Sequence, residues 1–196
     1  MFATDILKEE HRMIKRMLKV LTAAAQKLEG GEEVSPAVFE EVIDFIRTFA
    51  DRCHHGKEEQ TLFPVLERRG LPREGGPTGT MRMEHERGRE FVKAMAQAVE
   101  RYRGGDEEAK HAIVANARGY VDLLTQHISK EDDVLYPLAE QVLGKKEHVE
   151  LLEKFEEVEK TMVGEGKHQQ YIKLLERLER EFHLEPGEAS HHGHQR

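Results

Sequence analysis

Two stretches of this chain carry the same reactive residues in the same order. His54-His55-Gly56-Lys57-Glu58-Glu59-Gln60-Thr61-Leu62-Phe63-Pro64 aligns with His127-Ile128-Ser129-Lys130-Glu131-Asp132-Asp133-Val134-Leu135-Tyr136-Pro137 at an offset of 73 residues. Glu10-His11 aligns with Glu84-His85 at an offset of 74. In each long repeat a histidine stands four residues before a glutamate, and residues so spaced lie one turn apart on one helix face. His11, His54, His85 and His127, with Glu58 and Glu131, would then deliver four imidazoles and two carboxylates to one level. Such a nitrogen and oxygen set suits a pair of first-row transition metals, with the carboxylates able to bridge them. A core glutamate without a partner costs on the order of several kcal/mol, and a metal pair removes that cost. Structural zinc fits less well, because the chain has a single cysteine and the carboxylate share is high. A lone core histidine is ordinarily just hydrogen-bonded; the repeated register of all six residues is what points to metal.

For those residues to meet, four helices must each present one seam. Gly and Pro divide the chain accordingly. Thr4 or Asp5 caps a first helix that ends at Gly30-Gly31; Ser35 and Pro36 open a second that ends near Gly70. Residues 71–79 form a loop, a third helix spans about 80–103, and Asp106 caps a fourth that reaches Gly144. The seams step by four and three: Leu7, His11, Ile14, Leu18, Leu21, Ala25 and Leu28; then Ile43, Ile46, Ala50, His54, Glu58, Leu62 and Val65. The third has Met81, His85, Gly88, Val92, Met95, Val99 and Tyr102; the fourth has Ile113, Ala117, Tyr120, Leu124, His127, Glu131, Val134 and Leu138. This spacing predicts an all-α protein, an up-down-up-down four-helix bundle over residues 1–144. Two amphipathic segments, about 146–163 and 166–182, predict a C-terminal helical hairpin extension over 145–184, followed by a disordered His-rich tail over 185–196.

Composition narrows the partners. The 196 residues include 30 Lys+Arg and 38 Asp+Glu, a net charge of −8, which excludes a sequence-independent grip on nucleic acid or an anionic membrane. Mean hydropathy is −0.69, and no apolar run approaches the ~18 residues that span a bilayer. The start, Met1-Phe2-Ala3-Thr4-Asp5, shows neither basic nor apolar signal regions. With Cys53 as the one cysteine, a cytoplasmic location is expected, and Cys53 itself reads as an inert buried thiol. His55 aligns with Ile128, so a supporting role or solvent contact is expected for it and for Glu59. Gly88 reads equally as a close helix contact or as space for an exogenous ligand, and Tyr120 as core or as a hydrogen-bonding group near the site. His111, His148, His168 and His183 are expected to be solvated, and the tail's His191, His192 and His194 to bind metals only incidentally.

The residues resemble the hemerythrin-like HHE cation-binding family over roughly residues 4–143. Cys53-His54-His55-Gly56-Lys57-Glu58-Glu59 with Leu62-Phe63-Pro64, and Met83-Glu84-His85 with Gly88-Arg89, carry that resemblance. It implies a non-haem di-iron centre, carboxylate-bridged, held by His11, His54, Glu58, His85, His127 and Glu131. Oxygen-carrying members place a fifth histidine where this chain has Met81, and a second carboxylate where it has Asp132. The four-His, two-Glu set is similar instead to the branch with iron–sulfur repair proteins and iron sensors, and it leaves one iron an additional exchangeable position. The expected function is binding or sensing of a small ligand, O2, NO or iron, with an unidentified protein partner if it is a sensor. An enzyme acting on peroxide or other reactive oxygen and nitrogen species, or iron–sulfur centre repair, is the alternative. A purely helical interaction protein, with seam histidines bonded to one another, is a third reading.

Overall fold

The structure, a computed structural model, describes residues 1–164 and 166–185. Among the described residues it contains six helices and no strand. Of the tail expected over 185–196, residues 186–196, with His191, His192 and His194, lie outside the described residues. Helix α1 (Ala3–Glu29) starts one residue before the expected cap. Asp5 sits inside the first turn, where its carboxylate accepts from the Phe2 backbone N–H at 2.7 Å and offsets the positive end of the helix. Helix α2 follows one helical path over 36–68 behind its Ser35 cap. Helix α3 (Pro77–Arg103) begins three residues earlier than the expected Thr80, because Pro77 presets the backbone for a first turn. Helix α4 runs over 109–142, and α5 (Lys145–Met162) and α6 (Lys167–Glu181) complete the chain.

Two helices are not regular. In α2 the turns widen to π-helical form over Ile46–His55 and Glu58–Leu62, and in α4 over Glu131–Leu135. Phe63 N–H bonds the Glu58 carbonyl and Tyr136 N–H the Glu131 carbonyl, five residues back in each case. Pro64 and Pro137 follow at once. A proline within a helix lacks its N–H and crowds the carbonyl four residues before it, and a wider turn relieves both. The extra residue shifts the seam. Val134, expected on the α4 seam, is 59% exposed, and Leu135 and Tyr136 are buried instead.

Helices α1 to α4 pack in a ring, each against two neighbours. Their apolar residues form two clusters. The larger holds Met17, Leu21, Phe39, Phe49, Met95 and Ile113; the smaller holds Leu7, Leu62, Phe63, Met81, Leu135 and Tyr136. Along α1 and α3 the chain passes from the smaller to the larger cluster, and along α2 and α4 the reverse. The histidines and glutamates of the seams fall between the two. Each C-terminal helix buries its stripe on these cores: Leu151 and Phe155 of α5 join the smaller, Tyr171, Leu175 and Leu178 of α6 the larger.

His148, expected to be solvated, is buried instead. Its Nδ1 accepts from Ala3 N–H at 3.2 Å, and its ring meets Phe2 edge-on. It lies three residues before Leu151 and seven before Phe155, so the α5 stripe itself signalled its burial. His111 and His183 are exposed, while His168 is only partly so and turns an edge to Phe49.

Candidate metal centre

All six seam residues converge on the layer between the clusters. His11, His54, Glu58, His85, His127 and Glu131 are each no more than 2% exposed, so water does not solvate them. Glu131 lies between two imidazoles: Oε1 is 3.1 Å from His127 Nε2, and Oε2 is 3.2 Å from His11 Nε2. Glu58 Oε2 is 3.4 Å from His85 Nε2 and 3.8 Å from His54 Nε2. His85 and His127 bring their Nε2 atoms within 3.1 Å of each other. Donor atoms of His11, His54 and Glu131 all lie within 4.8 Å of one another, and a second such group joins His55 to Glu58, His85 and His127.

What aims these rings is a ring of outer carboxylates. His11 Nδ1 pairs with Asp132 at 2.7 Å, His54 with Glu10 at 2.9 Å, His85 with Glu59 at 2.6 Å and His127 with Glu84 at 2.8 Å. With Nδ1–H committed outward, every Nε2 faces the interior, the arrangement by which histidines are held for a metal. Each outer acid carries a cation in turn: Lys15 on Asp132, Lys57 on Glu10, Arg89 on Glu59 and Lys130 on Glu84. The two halves match: the acid before the α1 or α3 histidine serves the next helix's histidine, and the acid after Glu58 or Glu131 serves the other pair. Sequence reasoning singled out the Glu10 and Glu84 repeat and the Lys57 and Lys130 repeat without assigning them this task. They were legible as repeated spacing within the chain.

The symmetry breaks twice. Tyr136, where the first copy has Phe63, donates its hydroxyl to Glu58 Oε1 at 2.7 Å and stacks on His11. His55, where the second copy has Ile128, is buried rather than solvent-facing, and its ring stacks on His85 with centroids 3.7 Å apart. Burial and the neighbouring His85 hold His55 well below the ordinary histidine range, so it is a neutral imidazole.

The donor set fits a cation. Both Glu131 oxygens, Glu58 Oε2, His54 Nε2 and His55 Nε2 are buried without a hydrogen-bond partner, although they crowd toward one centre. Buried polar atoms are mostly paired; atoms of Glu9, Thr78, Arg82 and His148 are also without a partner here, but electron-rich atoms converge only when something positive sits among them. Without a metal, protons take that place. Burial would lower the His11 and His127 pKa values, but the carboxylates around them prevail: Asp132 and Glu131 raise His11 to about 9, and Glu131 and Glu84 raise His127 to about 10. Glu131 is correspondingly held well below the carboxylate range against its burial by His127 and His11. Cys53, pushed up to about 12 by burial and by Glu10, is an inert thiol.

A cavity of about 360 Å³ opens between α2, α3 and α4 and reaches the His55–His85 pair. Ile46, Gly88, Val92 and Tyr120 give it apolar walls, Asp51 and Arg89 also line it, and so do the exposed Arg47 and Lys93. Gly88 thus both lines the cavity and packs beside Tyr120. No helix among the described residues is long and apolar enough to cross a membrane.

Residues 3–139 match the family described as hemerythrin HHE cation binding domain. An uncharacterized protein of Mycobacterium tuberculosis is 26% identical over 178 residues, 91% of this chain and 69% of that relative, and one of Mycobacterium bovis matches to the same extent. The iron-sulfur cluster repair protein YtfE of Salmonella schwarzengrund is 28% identical over 134 residues, 66% of this chain and 60% of its own length.

Proposed function

The chain belongs to the hemerythrin HHE cation-binding family, and from that premise we propose that it is a non-haem di-iron protein that binds or senses a small ligand. The observation that carries this reading is the set of buried, partnerless carboxylate oxygens and imidazole nitrogens aimed at one centre. On this reading residues 1–144 are an up-down-up-down four-helix bundle and 145–184 an extension that closes it. His11, His54 and Glu131 would hold one iron, and Glu58, His85 and His127 the other. Glu131, with one oxygen toward each group, and Glu58 would bridge them. Two iron ions so bound supply a redox-active, Lewis-acidic centre with exchangeable positions. The protein's own contribution is to fix each imidazole by its outer acid, to exclude bulk water, and to leave a route of approach. That route, with apolar walls and exposed cations in its lining, suits O2, NO or peroxide.

The likeness to YtfE favours a second reading, an enzymatic role in iron–sulfur centre repair or in turnover of reactive oxygen and nitrogen species. A sensor would act through a protein partner in the cytoplasm; the acidic net charge argues against nucleic acid and membrane. Metal analysis with absorption spectra before and after O2, NO and peroxide tests the proposal. We expect about two iron ions per chain and ligand-dependent bands with NO. Stoichiometric zinc with no iron uptake on anaerobic reconstitution would defeat it. Catalytic loss of peroxide without a stable adduct would favour the enzyme.

A further inference from the structure

His55 is the buried group of the polar layer to which the di-iron reading gives no task. We propose that His55 is a fifth imidazole donor, acting through Nε2 at the metal position served by Glu58, His85 and His127, which makes the two positions unequal. The inference rests on the metal reading above. On its Nδ1 side the geometry repeats that of the other four histidines. His55 Nδ1 faces an outer acid, Asp51, at 3.3 Å, and Asp51 is itself held by Arg89 at 2.7 Å. Arg89 also binds Glu59 at 3.0 Å, the outer acid of His85, so one guanidinium anchors the supports of both stacked rings. The rings lie 16° from parallel, and each Nδ1 faces an acid that this guanidinium holds.

His55 Nε2 is buried and has no partner. A ring nitrogen of His55 lies within 4.8 Å of donor atoms of Glu58, His85 and His127. His148 also has a buried Nε2 without a partner, but His55 is the one of the two grouped with other metal-ligating side chains, where a cation would satisfy that atom.

The backbone explains how two adjacent residues both reach the layer. Successive side chains on an α-helix diverge by about 100°, which would turn His55 away if His54 points inward. Ile46–His55 is π-helical, and the wider turn separates neighbours by a smaller angle. The other copy is α-helical at this point and carries Ile128, so it supplies no equivalent donor. Three imidazoles on one side and two on the other follow. The extra position implied by Met81 is met from α2 instead of α3, on the wall of the cavity.

The test uses the full chain loaded with Co(II) and proton NMR in water. Each imidazole ligated through Nε2 contributes one strongly shifted, exchangeable Nδ1–H resonance. We expect five in the native chain and four in His55→Leu with cobalt still bound. Asp51→Asn, which leaves the ring in place, should move one of the five and keeps the test open if His55→Leu misfolds. Four resonances in the native chain, unchanged by either substitution, would overturn the fifth donor while leaving the metal reading intact. Failure to take up cobalt or iron at all would overturn both.

Discussion

At the residue scale, Glu131 and Asp132 are adjacent acids with different tasks. Glu131 is fully buried between His11 and His127, while Asp132 reaches only the outer nitrogen of His11 and Lys15. The π turn begins at Glu131, whose N–H still bonds the His127 carbonyl four residues back, so the His127–Glu131 pair keeps its one-turn spacing. Glu131→Gln should therefore abolish binding at one metal position. Asp132→Asn should weaken metal affinity by roughly ten- to hundredfold, the usual effect of losing a histidine's supporting carboxylate. Competition against a chelator of known affinity measures both, and the reverse order would remove Glu131 from the donor set.

At the element scale, the two prolines that close the repeats set the local shape of the site. They impose π turns directly beside Glu58 and Glu131, and the slip from Val134 to Leu135 is the visible result. Gly88 on α3 meets no such constraint. A methyl group there would lie 3.5 Å from Tyr120 and 3.6 Å from Leu124, ordinary contact distances. Gly88→Ala should raise stability by about 0.5–1 kcal/mol through helix propensity, with metal content unchanged; urea unfolding reads the first and metal analysis the second. A destabilised variant would mean that the helices need glycine to approach each other.

At the scale of the whole molecule, the centre ties helices together, and its protons and metals compete. In the chelator-stripped protein His11 and His127 hold protons to about 9 and about 10, against about 6.5 in an unfolded chain. Raised folded-state values stabilise fully below pH 6.5, and that stabilisation is lost as pH rises through 9 to 10. Thermal melts of the stripped protein should thus fall from pH 7 to pH 10. The loaded protein should resist this rise in pH, because metal replaces those protons and binds more tightly as they leave. A stripped-protein Tm that climbs across this range would mean that the two imidazoles are already neutral. The C-terminal helices belong to the same assembly: Glu159 of α5 reaches Lys57 at 3.4 Å, and Lys57 binds Glu10, the support of His54.

The helical class, the glycine-marked boundaries and the inward position of six seam residues were all readable from the chain, because periodicity and breakers act locally. Family membership was readable for a related reason: buried polar residues in repeated register are rare enough to identify. The outer acids were visible as repeats, but their task depends on which helix lies next to which, and no spacing along one helix states that. His55 and Val134 escaped the periodicity argument because it assumes regular α-helix, and π turns rotate residues off that pattern. His148 was misplaced by its polarity alone, although its stripe pointed inward. Only the assembled structure decides which nitrogen of each ring faces the centre, since an imidazole's direction is set by the carboxylate behind it.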